Sequence, residues 1–265
     1  MSANTEAGTT ATTERGTGQL LYGLVPSDVE LTDQVEGLGD PLGPVTVIRH
    51  GDVAALVSEM PLDVRLGRPA DLMAYQKLLD ATAVAGEVPV LPVRFGTVLA
   101  SREAVTELLA SQHDRYREVL EGLTGRVEYL VRARYVEQAL LAEVLAEQPE
   151  AAALREQLRD LPAEANVNLR IRLGELVHQA VEAKRASDTA RIVDALAGSA
   201  LANAPQPPTH EQDAARVAFL VERSRGAEFE EAAAVLADEW RDRVTVRLLG
   251  PSAPWDFVTT PQPAG

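Results

Sequence analysis

The stretch Val88-Pro-Val-Leu-Pro-Val-Arg-Phe-Gly-Thr-Val-Leu99 decides how the first half of this chain folds. It is an apolar, strand-like segment, but Pro89 and Pro92 have no backbone N–H to donate to a neighbouring strand. The segment must therefore lie at a sheet edge or in an extended element. Arg94 is its single charge, and a charge among apolar residues must be paired or reach water. Gly96 allows a backbone turn that a side chain would obstruct. We predict an edge strand here.

Arg94 has two interpretations. In the first, a salt bridge or a set of carbonyl contacts from its guanidinium holds a loop against the sheet edge. In the second, the edge receives a segment of another protein by strand addition, because its backbone groups are open. Native proteins normally protect an apolar edge that is not used for association. The two interpretations are compatible with each other.

The residues around this stretch predict a mixed α+β arrangement in the first half of the chain. Period-two apolar patterns indicate strands, and His50-Gly51-Asp52 is a good hairpin turn. Proline in a first helical turn, serine at an N-cap and glycine at a C-cap mark the helices. The expected elements are strands at 19–25, 45–48 and 53–57, a helix from Pro69 to Gly86, the edge strand, and a helix from Ser101 to Leu123.

The second half begins after Thr124-Gly125 and predicts the order strand, helix, strand, strand, helix, strand. This βαββαβ order is typical of ferredoxin-like domains. It requires that 201–206 form a short strand. The expected elements are a strand at 127–133, a helical region at 136–196 interrupted near Pro149 and Pro162, strands at 201–206 and 217–221, a helix at 229–240 and a strand at 244–248.

Arg126, Arg132 and Arg134 fall on one face of the first of these strands, because side chains alternate along a strand. One interpretation is that they pair with acidic residues of a covering helix. The other is that they form a binding face for acidic groups on a partner protein.

The fold class that we predict is α+β with two domains. The first is an N-terminal mixed α/β sheet domain, and the second is a C-terminal ferredoxin-like domain with an extended helical insertion. Trp255 and Phe257 lie among prolines after the second domain, and the tail is expected to pack these aromatic side chains before it frays. The predicted limits are a disordered tail at 1–18, the N-terminal domain at 19–124, the C-terminal domain at 125–250 and a C-terminal tail at 251–265.

Composition excludes several classes of function. The chain has 265 residues, is 46% hydrophobic and carries a formal charge of −15, so nucleic acid and anionic membrane surfaces are disfavoured as partners. It has no cysteine, which excludes disulfides, thiolate catalysis and cysteine-based zinc sites. No apolar stretch is long enough for a membrane helix, and the N-terminus lacks the apolar region of a signal peptide. We therefore expect a cytoplasmic protein.

No motif in the sequence indicates catalysis. The four histidines, His50, His113, His178 and His210, are far apart and none pairs at the spacing of a zinc helix. The Gly-x-Ser-x-Gly elbow and the P-loop are absent. Acidic pairs such as Glu230-Glu231 are expected on solvated helix faces, since acid–base chemistry needs a shifted pKa and a pocket. We expect no enzyme activity, no cofactor and no metal.

The central segment resembles the hallmark of the gas vesicle protein F/L family, which is close to PVLPxRFGTxF. Four further stretches are similar to that family: Leu21-Tyr22-Gly23, 53–58, 123–131 and Ala218-Phe219-Leu220-Val221. The C-terminal GPSAPWDFV at 250–258 resembles the family ending GPWPPYSFV. Ser252 and Ala253 depart from that pattern, as does the pair Trp255-Asp256, so no role is carried over to Ser252.

The resemblance implies a non-enzymatic accessory or minor structural protein of gas vesicles, the protein-walled, gas-filled organelles that give microbes buoyancy. It implies a two-domain α+β fold with a ferredoxin-like C-terminal domain. It also implies binding to the small hydrophobic shell protein and to other accessory proteins during assembly. The candidate contact or structural residues are Pro89, Pro92, Arg94, Phe95, Gly96, Trp255 and Phe257.

An alternative function is a small-molecule-binding regulatory module, because ferredoxin-like domains often bind ligands between helix and sheet. It predicts stabilisation by a ligand through mass action. The sequence offers no phosphate loop or convergent polar cluster in its support, and an enzyme that uses scattered carboxylates is weaker still. Fold alone does not decide among these functions.

Overall fold

A computed structural model describes residues 16–30, 37–38, 42–159, 162 and 166–258. The described chain forms two compact units. One lies within Met1–Leu79 and Pro92–Leu120, and the other within Asp80–Leu91 and Glu121–Thr259. Most of the predicted N-terminal tail and the last seven residues of the predicted C-terminal tail lie outside the described residues.

The first half of the chain builds one five-stranded sheet and three helices. Its strands are arranged in the order β2-β3-β1-β4, and β5 also pairs with β1. β1 is antiparallel to β3, and β3 is antiparallel to β2. The elements are β1 (Thr17–Pro26), β2 (Thr46–His50), β3 (Val53–Pro61), α1 (Pro69–Val84), β4 (Leu91–Pro92), β5 (Val98–Leu99), α2 (Arg102–Ser111) and α3 (His113–Leu123).

The predicted hairpin and the predicted first helix are both confirmed. His50 is opposite Val53 across a turn in which Gly51 takes a φ of 55°, a conformation that favours glycine. α1 begins at Pro69, as the sequence indicates. The apolar residues Leu72, Tyr75, Leu79 and Ala83 recur at helical spacing, and all but the exposed Leu72 are buried.

The edge strand predicted across 88–99 is wrong in its extent. The segment lies beside β1, as expected, but only β4 and β5 within it are strands, and each has two residues. Pro89 and Pro92 donate no hydrogen bond, and the chain turns away from β1 between Arg94 and Thr97. A continuous ladder therefore cannot form along the segment.

The single helix predicted from Ser101 to Leu123 is also wrong. Ser101 caps α2 as expected, since its hydroxyl accepts a hydrogen bond from the Ala104 N–H at 3.2 Å. At Gln112, however, the backbone leaves the helical region and α3 starts afresh. The break coincides with a tertiary contact, in which His113 Nε2 accepts a hydrogen bond from the Asp52 N–H. Apolar periodicity carries no information about such a contact.

The second half of the chain builds a four-stranded antiparallel sheet in the order β7-β8-β6-β9. The strand expected at 201–206 is confirmed as β7, and the helical interruptions near Pro149 and Pro162 are confirmed too. The elements are β6 (Arg126–Tyr135), α4 (Glu137–Glu147), α5 (Pro149–Leu158), α6 (Val167–Leu196), β7 (Ala202–Pro205), β8 (Asp213–Glu222), α7 (Gly226–Trp240) and β9 (Val244–Ser252).

One face of this second sheet forms the core with two helices. Val127, Val131 and Phe219 on the sheet belong to the same buried cluster as Ile192 of α6 and Phe229 of α7. Alternate residues of a strand point to opposite faces, so Arg132 and Arg134 lie on the face away from these helices. The chain is a mixed α/β protein with two antiparallel sheets.

Across the described part of the chain, no helix has both the length and the apolar character needed to cross a membrane.

Candidate functional site

The turn at 94–97 is the exposed part of the sequence segment that we singled out. Thr97 donates two hydrogen bonds to the Arg94 carbonyl oxygen, from its N–H at 3.1 Å and from its hydroxyl at 2.7 Å. Gly96 takes a φ of 82°, which a residue with a Cβ rarely adopts. β4 and β5 flank this turn, and both pair with β1. The turn is thus built by the chain's own backbone.

Three aromatic side chains support the base of the turn. The Tyr75 ring stacks on Tyr22 with centroids 5.7 Å apart and meets Phe95 edge-on at 5.2 Å. The Tyr75 hydroxyl donates to the Tyr22 carbonyl oxygen at 2.6 Å and also contacts the Val93 carbonyl oxygen. Burial raises the pKa of Tyr75, so its hydroxyl keeps the proton that it donates. Phe95 is therefore anchored while its neighbours are exposed.

Arg94 lies on the surface of this turn. Its side chain is exposed, and within the described ranges no hydrogen bond or ion pair engages its guanidinium. A charge in an apolar segment must be paired or reach water, and the guanidinium of Arg94 reaches water. Pro92 is buried and Pro89 is half-buried, so neither proline is exposed as Arg94 is.

The C-terminal aromatic segment is held by two carboxylates. Asp80 Oδ1 accepts hydrogen bonds from the Ala253 N–H at 2.9 Å and from the Trp255 indole Nε1–H at 3.1 Å. Glu128 Oε2 accepts one from the Asp256 N–H at 2.8 Å. Phe257 follows as a half-buried residue. Hydrogen bonds from backbone and indole donors to the carboxyl groups of Asp80 and Glu128 fix the path of this segment.

Glu128 is an unusual acceptor because only 3% of its surface is exposed. Burial is the main cause that raises the pKa of Glu128, to about 8, and the neighbouring Asp256 carboxylate adds to the increase. The hydrogen bond from the Asp256 N–H acts in the opposite direction and is outweighed. Glu128 is therefore protonated near neutral pH, when it can share its proton with a neighbouring carboxylate.

The predicted site residues separate into two groups. Pro92, Arg94, Phe95 and Gly96 belong to the first compact unit, whereas Pro89, Trp255 and Phe257 belong to the second. The supporting residues Tyr75, Asp80 and Glu128 were not among the predicted ones. The helical spacing of Tyr75 indicates only a core position, and nothing in the sequence pairs Asp80 or Glu128 with the C-terminal segment.

Within the part of the chain that the structure describes, no arginine of β6 pairs with a helix, which corrects the first of their two interpretations. The helices lie on the other face of the sheet, and Arg134 Nε instead contacts Asp213 Oδ1 on β8 at 3.2 Å. Burial acts to raise the pKa of Asp213, but hydrogen bonds from Thr209, His210 and Arg134 outweigh it and lower that pKa. Asp213 therefore stays ionised and forms an ion pair with Arg134.

Histidines that are distant in sequence come closer together in the fold. The His50 and His113 rings lie 5.9 Å apart, and His178 and His210 line one cleft of the second unit. Among the residues whose positions are described, no group of three or more histidine and acidic side chains is placed to bind a metal ion. These pairs therefore provide too few ligands for a protein metal site.

Comparison with known proteins identifies the family of this fold. Residues 18–259 match the family described as gas vesicle synthesis protein GvpL/GvpF. The chain belongs to the GvpL/GvpF family. The match covers both compact units, including the 88–99 segment and the C-terminal aromatic residues. The resemblance inferred from the central segment is confirmed, and a gas vesicle-related role follows from family membership.

Individual GvpL/GvpF relatives are similar over nearly the whole chain. Gas vesicle protein F of Streptomyces sp. (strain CB03234) is 36% identical, over 90% of this chain and 98% of its own length. Gas vesicle protein L of the same strain is 29% identical, over 91% and 92%. The crystal structure of GvpF from Anabaena sp. PCC7120 matches with a TM-score of 0.76 and 23% identity, over 93% of this chain and 100% of that one. That likeness shows a shared fold.

Proposed function

We propose that this GvpL/GvpF protein is a non-enzymatic accessory or minor structural protein that binds the hydrophobic gas vesicle shell protein and other accessory proteins during vesicle formation. The observation that carries the proposal is the family match across residues 18–259. The protein acts in the cytoplasm, at growing vesicles. Its formal charge of −15 supports the role, because a strongly charged protein stays soluble while it handles an apolar partner.

The contact surface that we propose includes the turn at 94–97. Arg94 is exposed and free to meet a partner, while Phe95 and the buried Pro92 hold the turn in place. β4 and β5 cover only short parts of the edge of β1, so a partner segment could add to the sheet there. Trp255 and Phe257 serve a structural role in this proposal, since the hydrogen bond from Trp255 to Asp80 supports docking within the chain.

We also infer that the second unit is a ferredoxin-like domain with α4 and α5 as part of an extended helical insertion. The element order β6, helices, β7, β8, α7, β9 and the strand order β7-β8-β6-β9 support it. The limits that we propose for the two domains remain 19–124 and 125–250. Limited proteolysis with sequencing of the fragments tests them, because cleavage concentrates at exposed connections between domains.

The function is tested in vesicle-forming cells whose own copy of the gene is deleted and replaced by tagged variants. We expect deletion to abolish normal vesicles, and the tagged wild type to restore them, to float with the vesicle fraction and to recover shell protein in a pull-down. A wild-type pull-down free of every gas vesicle protein would contradict the proposed function.

The role of Arg94 is tested in the same cells with Arg94→Ala. The matched control is Arg65→Ala, since Arg65 is another exposed arginine of the first unit. We expect Arg94→Ala to lower recovery of shell protein while Arg65→Ala does not, with both variants melting like the wild type. Unchanged recovery with Arg94→Ala would reject the contact at Arg94 and leave the broader function standing.

A further inference from the structure

Three arginines lie side by side across the second sheet, and we call them the arginine row: Arg132, Arg216 and Arg247. Arg132 of β6 is directly opposite Arg216 of β8 on one side and Arg247 of β9 on the other. Residues directly opposite in antiparallel strands project from the same face. The neighbouring Val131 is in the core shared with α6 and α7, so the row projects from the opposite face.

This arrangement is costly without an anion. Like charges placed directly opposite each other on a sheet are destabilising. The Nε atoms of Arg132 and Arg216 are buried and have no hydrogen-bond partner among the described residues. A buried donor left unsatisfied costs its full desolvation penalty. The Arg216 Nη1 reaches the Pro207 carbonyl oxygen only at 3.5 Å, the limit for a hydrogen bond.

The chain does not lack carboxylates that could pair with the row. It has 40 acidic residues against 25 lysines and arginines. Other arginines of the same unit are well paired: Arg243 contacts Glu143 at 2.6 Å and Asp188 at 2.8 Å. For the arginine row, by contrast, the described residues supply no salt bridge at all, while the adjacent Asp213 is committed to Arg134. The row is therefore a cationic surface inside an acidic protein.

A cleft of about 330 Å³ runs along two members of the row. Its lining includes Arg132, Arg247, Thr245 and Leu249. The Leu249 side chain is 45% exposed, so the cleft offers apolar contact beside the guanidinium groups. Guanidinium groups bind carboxylates through paired N–H donors, and the apolar side chain favours a ligand that has apolar groups as well.

We propose that the arginine row binds an acidic, amphipathic segment of another protein, whose carboxylates pair with the guanidinium groups and whose apolar side chains contact Leu249. The row and Leu249 lie on the same face of the sheet, so such a segment presents its acidic and apolar side chains on one side. A polynucleotide is disfavoured, because a body with a charge of −15 repels a long polyanion beyond the immediate contact. The inference does not rest on the proposed role in gas vesicles.

The test uses the full chain and a fluorescein-labelled peptide that repeats Glu-Ser-Leu-Ser, in which glutamate and leucine share one face when the peptide is extended. Fluorescence anisotropy is the readout. We expect saturable binding that weakens as NaCl is raised, because the contact is ionic. Arg132→Gln and Arg247→Gln should each weaken binding about tenfold, in line with the loss of one charge-assisted pair. The matched control is Arg155→Gln on α5, where the arginine is exposed and outside the row; it should bind like the wild type.

Several outcomes would overturn the proposal. One is that the wild type does not bind the peptide, and another is that it binds the same peptide equally well with glutamine in place of glutamate. The others are that Arg155→Gln weakens binding as much as the substitutions in the row do, and that a single-stranded oligonucleotide binds more tightly than the peptide. If the wild type forms a dimer and Arg247→Gln is a monomer, the row binds a second copy of this chain and not a segment of another protein. Arg247 is exposed, so Arg247→Gln should fold even where Arg132→Gln does not, and its thermal melt verifies this.

Discussion

Arg94 and Gly96 occupy the same turn but contribute to it in different ways. Gly96 supplies a backbone conformation, a φ of 82° that side chains disfavour, although nothing lies within 4 Å of where its Cβ would be. Arg94 supplies an exposed cation that forms no described contact within the chain. The residue that fixes the backbone of the turn and the residue proposed to contact a partner are thus close neighbours, and substitution can separate their effects.

Gly96→Ala should lower the free energy of unfolding by roughly 1 kcal/mol, because an L residue is strained at positive φ even where space is free. Arg94→Ala should change it by less than about 0.5 kcal/mol, as expected for an exposed side chain without partners. Chemical denaturation measures both. The control is Gly122→Ala in α3, where alanine is the better helix former and should stabilise. Equal stability of Gly96→Ala and wild type would refute the strain argument.

Glu128 makes stability depend on pH. Its pKa is about 8 in the folded protein, against an ordinary value of 4.5 in the unfolded chain. Between these values the folded form holds a proton that the unfolded form has lost, so the free energy of unfolding falls as pH rises. Glu128→Gln should abolish this fall while its amide oxygen still accepts from Asp256.

The free energy of unfolding of wild type and Glu128→Gln is measured by chemical denaturation at about pH 5 and about pH 8. These values cover most of the pH range between the unfolded and folded pKa of Glu128. We expect the variant to gain stability relative to wild type at the higher pH. Glu239→Gln, at an exposed glutamate of α7, should leave the wild-type profile unchanged. Parallel profiles for Glu128→Gln and wild type would show that the pKa of Glu128 is not raised.

At the scale of elements, the C-terminal end of α1 is capped by an arginine from a distant part of the chain. Arg223 donates from Nη1 to the Val84 carbonyl oxygen at 3.0 Å and from Nη2 to the Ala83 carbonyl oxygen at 2.5 Å. The last carbonyls of a helix have no partner within it, so such donors stabilise its end. The expected glycine, Gly86, contributes as well, through its N–H to the Ala81 carbonyl oxygen.

Arg223→Gln should destabilise the protein by about 1–3 kcal/mol, because it removes two hydrogen bonds from a charged donor. Arg155→Gln removes the same charge from an exposed position and should have an effect below about 0.5 kcal/mol. Thermal and chemical denaturation distinguish the two. If the two variants have the same melting temperature and the same free energy of unfolding, Arg223 does not stabilise the end of α1.

Sequence periodicity predicted the elements well where a single segment determines its own structure. The hairpin around Gly51, the cap at Ser101 and the alternating strand β6 all follow from local chemistry. It failed where a distant contact decides. The break at Gln112 coincides with a hydrogen bond from Asp52 to His113, and the 88–99 segment turns away from β1 after only two paired residues.

At the scale of the whole molecule, the sequence did not predict which residues of neighbouring strands lie opposite each other. Arg132 was recognised on its strand, but Arg216 and Arg247 come from strands far along the chain. Only the pairing of β6 with both neighbours places the three together. The aromatic residues 255 and 257 were expected to pack, yet the carboxylates that hold the segment, Asp80 and Glu128, have no pattern that links them to it.

The charge of the whole molecule predicts a response to salt. With a net charge of −15, mutual repulsion of carboxylates opposes the compact state, and salt screens it over roughly 10 Å at 0.1 M. The melting temperature should therefore rise as NaCl is added. Choline chloride should act equally, because screening does not depend on the cation. A falling melting temperature would mean that ion pairs such as Arg243 with Asp188 outweigh the repulsion.

The shortness of β4 and β5 has a consequence for hydrogen exchange. Few backbone bonds tie 88–99 to β1, among them those from Val93 to the Tyr22 carbonyl and from Leu21 to the Thr97 carbonyl. Opening of this segment breaks the packing of Phe95 on Tyr75 and of the buried Val93 but few backbone hydrogen bonds, so its amides should exchange with deuterium before those in the middle of β6. Each opening also bares the edge of β1. Such opening should thus expose backbone groups of β1 while the pairing of β1 with β3 persists.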